Sequence, residues 1–259
     1  MSRRDSLLRE MGLGPLWTLR EPPPAAAAGV AVSPAPTIVD AVPAVAAGVS
    51  LSAPAPSPTL AASEGRGAAI ARMDWPALKT AVATCDACML CRERKQAVLG
   101  VGDVDADWLF VGEGPGAEED ERGEPFVGQA GKLLDAMLAA IDLRRGDDVY
   151  IANAVKCRPP GNRTPEAEET AACWPYLERQ IELIRPKLIV ALGKPAAQTL
   201  LQAEVKVGAS RGKLFDFKGV PLIVTYHPAY LLRNLTDKAR SWEDLCFMRR
   251  TMRELKGRN

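Results

Sequence analysis

The sequence contains no run of about 18 apolar residues, so no segment reads as a transmembrane helix. Six cysteines in 259 residues are too few for a disulfide scaffold, which belongs to short, cysteine-dense secreted domains. Charge of one sign is missing too. Lys and Arg number 33 against 32 Asp and Glu, a net of +1, and that total gives no pointer to a polyanionic partner. Histidine is nearly absent, His227 being the only one. The start, Ser2-Arg3-Arg4-Asp5-Ser6-Leu7-Leu8, has the look of a twin-arginine export signal. Arg9, Glu10, Arg20 and Glu21 break up the apolar region such a signal needs, and a cytoplasmic protein is expected.

What is present is an ordinary globular composition, 47% hydrophobic and 25% charged, in a chain long enough for one large domain or two small ones. The near-zero net charge conceals an asymmetry. From Arg211 to Asn259 eleven basic residues face five acidic ones, whereas Gly102–Glu124 carries nine acids against Arg122 alone. The basic segment suits a phosphate backbone, whose condensed counterions it would release, and it suits a solvated helix face equally well.

Three zones follow along the chain. Residues 1–21 form a short peptide in which Leu7, Leu8, Met11, Leu13 and Trp17 make a partly helical pattern limited by Gly12, Gly14 and Pro15. It suits either docking to a partner protein or a loose helix on its own domain. Residues 22–72 read as a linker, because Pro22–Ser63 is mostly Ala, Pro, Val and Ser with Asp40 as its only charge. From residue 73 to 259 helical and strand patterns alternate. Strands are expected at Asp107–Gly112, Val149–Val155, Leu188–Leu192 and Val220–Tyr226, the last paired with Leu214–Phe217 across a turn at Lys218-Gly219. Helices are expected at Trp75–Thr84, Gly131–Ile141, Pro165–Arg185 and from Gly193 onward. This alternation implies a mostly parallel four-stranded sheet with helices on both faces, and a site at the C-terminal strand ends.

Cys85-x-x-Cys88, followed far along by Cys157 and Cys173, offers four thiolates. Such a set suits tetrahedral zinc or a [4Fe–4S] cluster, and spacing does not choose between them. Cys91 creates a competing Cys88–Cys91 pair, and Cys246 falls in an apolar helical stretch as a core residue. Val111-Gly-Glu-Gly-Pro-Gly116 looks like a dinucleotide fingerprint, but acidic loop sequence, Ala117–Arg122, follows where a helix is required. Glu124-Pro-Phe126-Val-Gly128 puts an aromatic ring in a loop feeding a helix, where a core contact is the commoner fate. Asn153 sits in an apolar strand and needs partners, and His227-Pro-Ala-Tyr-Leu-Leu-Arg233 ends the fourth strand. A lone histidine is ordinarily structural; the place of this one at a strand end beside a basic segment favours function.

In this order and spacing, the Cys-x-x-Cys, Gly-Glu-Gly-Pro-Gly, Glu-Pro-Phe-Val-Gly, Asn-x-x-x-Cys-Arg-Pro-Pro, Cys173 and His-Pro-Ala-Tyr-Leu-Leu-Arg elements closely resemble the family 4 uracil-DNA glycosylases. The resemblance covers Trp75 onward, roughly the last two thirds of the chain. It implies the α/β/α sandwich of the uracil-DNA glycosylase superfamily and a structural [4Fe–4S] cluster on Cys85, Cys88, Cys157 and Cys173, with Cys91 a spectator. It also implies a monomeric enzyme that flips uracil from single- or double-stranded DNA and hydrolyses its N-glycosidic bond. Phe126 would stack on the base, Asn153 read its pairing edge, His227 contact O2, and Glu113, Gly114 and Pro115 lie against it. Glu113, helped by Glu119, would position the water. Arg233 and the basic helix would hold phosphates, with Leu231 or Leu232 as a wedge. A related branch cross-links to DNA through an additional histidine; this chain has none, so hydrolysis is expected. Two other readings stand beside this one. They are a weakly catalytic DNA-binding module tethered to replication or repair proteins, and a nucleotide-binding redox protein, against which the acidic stretch argues.

Overall fold

A computed structural model of the protein describes residues 65–257; the N-terminal peptide and most of the expected linker lie outside them. The sheet has six strands in place of the expected four. Its centre is parallel, β2 (Trp108–Gly112), β3 (Val149–Asn153), β4 (Leu188–Leu192) and β6 (Val220–Thr225). Short β1 (Val101–Gly102) and β5 (Leu214–Phe217) add antiparallel edges, giving the order β1-β3-β2-β4-β6-β5. β1 has only two residues and no alternation for sequence to reveal.

Every residue of β2, β3 and β4 is buried, as continuous apolar runs require when both faces of a parallel sheet are covered. Alternate side chains feed two cores. Trp108 and Phe110 meet Leu134, Met137 and Leu138 of α3 (Gln129–Ala139) and Leu245, Met248 and Met252 of α8 (Lys238–Lys256). Leu109 and Val111 meet Leu177, Ile181 and Ile184 of α4 (Ala167–Ile184) and Leu200 of α5 (Lys194–Leu201). The result is the expected three-layer α/β/α sandwich. The long helix ends as read, with Arg185 left-handed at φ 54° before Pro186. No described helix is long and apolar enough to cross a membrane.

Three expectations need correction. Ala117–Arg122 is a helix, α2, and not a loop. Its acids are helix-starting residues. Glu118, Glu119 and Asp120 occupy the positive first turn, Glu119 accepts from the Gly116 N–H at 3.1 Å, and Gly123 ends the helix at φ 76°. The domain also begins before residue 73. Residues 65–70 are helical, Ile70 is buried with Leu78, Val82 and Tyr176, and Arg66 donates to the Ala172 carbonyl at 2.9 Å. Gly65-Arg-Gly-Ala-Ala-Ile70 is too short for a helical repeat to be visible. Finally, Cys246 is only half-buried on α8.

Helix α1 (Trp75–Ala83) starts at Asp74, whose carboxylate accepts from the Ala77 N–H at 3.0 Å, with Pro76 in the first turn. It closes the third core, with Ile70, over the cysteine region. Ile70→Ala is therefore expected to lower stability by about 2–4 kcal/mol, read as a reduced midpoint in urea unfolding.

Candidate active site

The loops after β2, β3, β4 and β6 converge at the C-terminal ends of these strands on a cavity of about 640 Å³. Its lining includes Glu113, Gly114, Pro115, Phe126, Asn153 and His227. Strands β2 and β3 are in register there, Gly112 opposite Asn153. Asn153 is 2% exposed, and its Oδ1 has no partner among the described residues. The neighbouring glycine makes room for it. A Cβ on Gly112 would stand 2.5 Å from both Asn153 Oδ1 and Phe126 Cζ.

Phe126 is held under constraint. Its φ is 55°, a left-handed value that costs a non-glycine residue about 1–3 kcal/mol. Arg145 fixes that backbone by donating to the carbonyls of Pro125 and Phe126, both at 2.7 Å, while pairing with Asp135 at 2.9 Å. Glu119 secures the next residues. Its two oxygens accept from the N–H groups of Gly116 (3.1 Å), Val127 (2.9 Å) and Gly128 (3.1 Å). That carboxylate is occupied as a loop fastener, and it fills the helix N-terminus where a pyrophosphate would sit. Glu113 lines the same cavity, also half-buried, and no backbone N–H bonds its carboxylate among the described residues. Burial raises its pKa above the ordinary carboxylate value, with the Thr164 hydroxyl opposing.

His227 caps α7 (Pro228–Arg233), with Nδ1 accepting from the Ala229 N–H at 3.1 Å. An accepting Nδ1 leaves the hydrogen of the neutral ring on Nε2. Burial pushes the pKa down to about 4; Arg233 adds to this and Glu119 opposes it. The ring lies 5.5 Å from that of Phe126. His227 is thus a neutral hydrogen-bond donor at physiological pH.

The other expected contacts divide. Arg233 lines the cavity and Leu232 is 41% exposed, but Leu231 is 1% exposed in the core, facing inward on α7. That burial removes Leu231 as a wedge. Nor does the whole basic segment face the cavity. Lys256 pairs with Asp107 (2.7 Å) and Asp148 (2.8 Å), next to the opposite ends of β2 and β3.

Cys85, Cys88, Cys91, Cys157 and Cys173 line a second, smaller cavity beneath α1 and α4; Cys246 is not among them. Burial pushes the Cys173 thiol up to about 12, with Lys156 opposing, and raises Cys88 and Cys157 as well. Among the described residues, no three His, Cys, Asp or Glu side chains converge closely enough to hold a single metal ion. Lys156 lies between the cavities. Its ammonium donates to the Asn153 carbonyl at 2.9 Å and to Gln180, and its backbone N–H donates to Cys173 Sγ at 3.2 Å. Arg145, Lys156 and Gln180 escape sequence reading, because the bonds that give them their roles cross long stretches of chain, 19 residues from Arg145 to Phe126 and 24 from Lys156 to Gln180.

The lowered His227 pKa links stability to pH. The unfolded ring keeps its ordinary value of 6.5 against about 4 when folded. As pH falls, the unfolded chain therefore takes up the proton first. The His227 contribution is intact above 6.5 and is lost progressively from 6.5 down to 4, by about 3 kcal/mol in total. Denaturant unfolding at both ends of this window should show that slope in the native chain and a flatter one in His227→Asn.

Comparison with known proteins agrees with this geometry. The family model described as the uracil DNA glycosylase superfamily matches residues 99–247. The chain is 45% identical over 184 residues to the type-4 uracil-DNA glycosylase of Pyrobaculum aerophilum, covering 67% of this chain and 92% of the relative. It is 48% identical to the type-4 enzyme of Thermotoga maritima over 161 residues, 61% of this chain and 83% of the relative. With the type-4 enzyme of Archaeoglobus fulgidus it shares 48% over 159 residues, 58% of this chain and 79% of the relative. A sandwich of this topology, with Asn153 and His227 meeting at the strand ends and relatives this near over most of their length, belongs to the type-4 uracil-DNA glycosylases.

Proposed function

We propose that this chain flips uracil out of DNA and hydrolyses its N-glycosidic bond, and that the site residues divide the work as follows. The observation that carries the reading is the buried, unpartnered acceptor of Asn153, facing a cavity that also holds a neutral imidazole donor and an aromatic ring. Asn153 accepts from uracil N3–H and donates to O4, a pair of bonds that cytosine, with no N3–H and an amine at C4, does not match. Phe126 stacks on the extruded base, whose removal from a weak pair costs less than that of a well-paired one.

As the bond breaks, the sugar becomes oxocarbenium-like and the leaving uracil becomes an anion. The Nε2–H of His227 donates to O2, where that charge gathers in a site poor in water. Glu113 is assigned to the water, since Glu119, which also lines the cavity, has both oxygens engaged by backbone N–H groups, while the Glu113 carboxylate has no backbone partner among the described residues. Leu232 remains as the wedge, and Arg233 contacts phosphate.

The thiol-lined cavity suits a [4Fe–4S] cluster on Cys85, Cys88, Cys157 and Cys173. The donors are uniformly soft, and they ring a shared space instead of closing on one ion. Bound there, the cluster supplies a structural crosslink joining the α1 region, the Cys157 loop and α4. Iron analysis after anaerobic purification should find about four irons per chain. Cys91→Ser and Cys246→Ala should keep them and Cys85→Ala lose them, whereas stoichiometric zinc without iron would reject the cluster.

Release of uracil from a single-stranded oligonucleotide tests the activity. His227→Ala should slow single-turnover cleavage by about a hundredfold or more with DNA binding nearly unchanged, as for a lost oxyanion-type donor. Asn153→Ala should weaken capture of the flipped base as well. Full activity in both variants would move the active site elsewhere.

A further inference from the structure

Three cations surround the cysteine cavity without a carboxylate partner among the described residues. Arg94 Nη1 lies 2.9 Å from Cys157 Sγ, and its other amine donates to the Ala83 carbonyl. Lys156 is 1% exposed, its ammonium bonded only to the neutral oxygens of Asn153 and Gln180. Arg66 Nη2 reaches Cys85 Sγ at 3.7 Å, with its guanidinium over the Tyr176 ring. Arg94 and Lys156 both line the cavity, and no Asp or Glu does. The nearby acid that a neighbouring helix contributes, Glu169, is held by Arg163 at 2.7 and 2.8 Å. Asp86 and Glu93, on the cysteine loop itself, are exposed to solvent.

A buried ammonium without a counter-ion is costly, so the folded chain demands negative charge at this place. Four protonated thiols do not provide it. Four thiolates on a dipositive iron–sulfur core leave a dianion, and one added electron makes a trianion. Cations and hydrogen bonds at the sulfurs favour the more negative state. We propose that Arg94, Lys156 and Arg66 form a cationic cage that balances the charge of the thiolate-bound cluster and raises its reduction potential. This rests on the cluster assignment above. The electron enters the iron core, and no bond forms or breaks.

The test uses the full-length protein, purified anaerobically, as native chain, Arg94→Gln, Arg94→Lys and Lys156→Met. Iron content is measured first, then the reduced-to-oxidised ratio during dithionite titration against mediator dyes, followed by electron paramagnetic resonance. Arg94→Gln should keep its iron, and at a fixed potential its reduced-to-oxidised ratio should fall about tenfold, a downward shift of about 59 mV for one electron. Arg94→Lys should restore most of that shift. Lys156→Met should move the same way where it folds, and Arg94, on the half-buried rim, carries the test where it does not. Iron loss in Arg94→Gln that Arg94→Lys repairs also supports a charge requirement. Iron-replete Arg94→Gln with a native ratio, or iron loss in Arg94→Gln and Arg94→Lys alike, overturns the cage. A native chain without iron overturns the cluster assignment itself, a different result.

Discussion

The closest constraint in this fold is the approach of three chain segments at the end of the sheet. Gly112 closes β2 in register with Asn153, and the Phe126 ring reaches the same point from the loop before α3. Each added atom there collides with something the site uses. Other features follow from keeping the three in contact. Arg145 and Glu119 hold the Phe126 backbone from both sides, and a Cβ on Gly131 would lie 1.8 Å from the Phe126 carbonyl oxygen. The fold thus fixes ring and amide before a base arrives, so little ordering is left for the binding step.

The histidine is tuned by the same economy of space. Gly193, at φ 89°, lets the chain after β4 pass so near that a Cβ would stand 2.9 Å from the Cβ of His227. Packed this closely, the imidazole loses its hydration and with it its affinity for a proton. A single backbone bond from Ala229 then selects the tautomer. One donor of fixed direction results, with no second histidine needed to orient it.

Much of this was legible in the sequence, and the parts that were not share a cause. The four parallel strands announced themselves as apolar runs, and Pro186 marked the end of the long helix. The convergence of Glu113, Phe126, Asn153 and His227 followed from motifs at strand ends. Acids 118 to 121 were misread because negative charge looks alike in a solvated loop and in a first helical turn, and only the Glu119–Gly116 bond separates the two. The inward turn of Leu231 depends on the angle at which α7 leaves His227, which two consecutive leucines do not specify. The basic C-terminal segment read as one patch, whereas a 19-residue helix carries its last lysine to the N-terminal ends of β2 and β3, away from the cavity.

The unpartnered oxygen of Asn153 carries a further meaning for the balance between durability and work. A buried acceptor with no protein donor costs about 1–3 kcal/mol of stability wherever water does not take the donor's place. An apolar side chain of similar shape at this position would remove that penalty. Selection for a hardier fold alone would therefore drift away from asparagine, and the base recognition proposed for Asn153 is the demand that opposes the drift. At this one position the molecule is less stable than its own architecture allows, and in the role proposed for Asn153 that deficit is what an incoming base relieves.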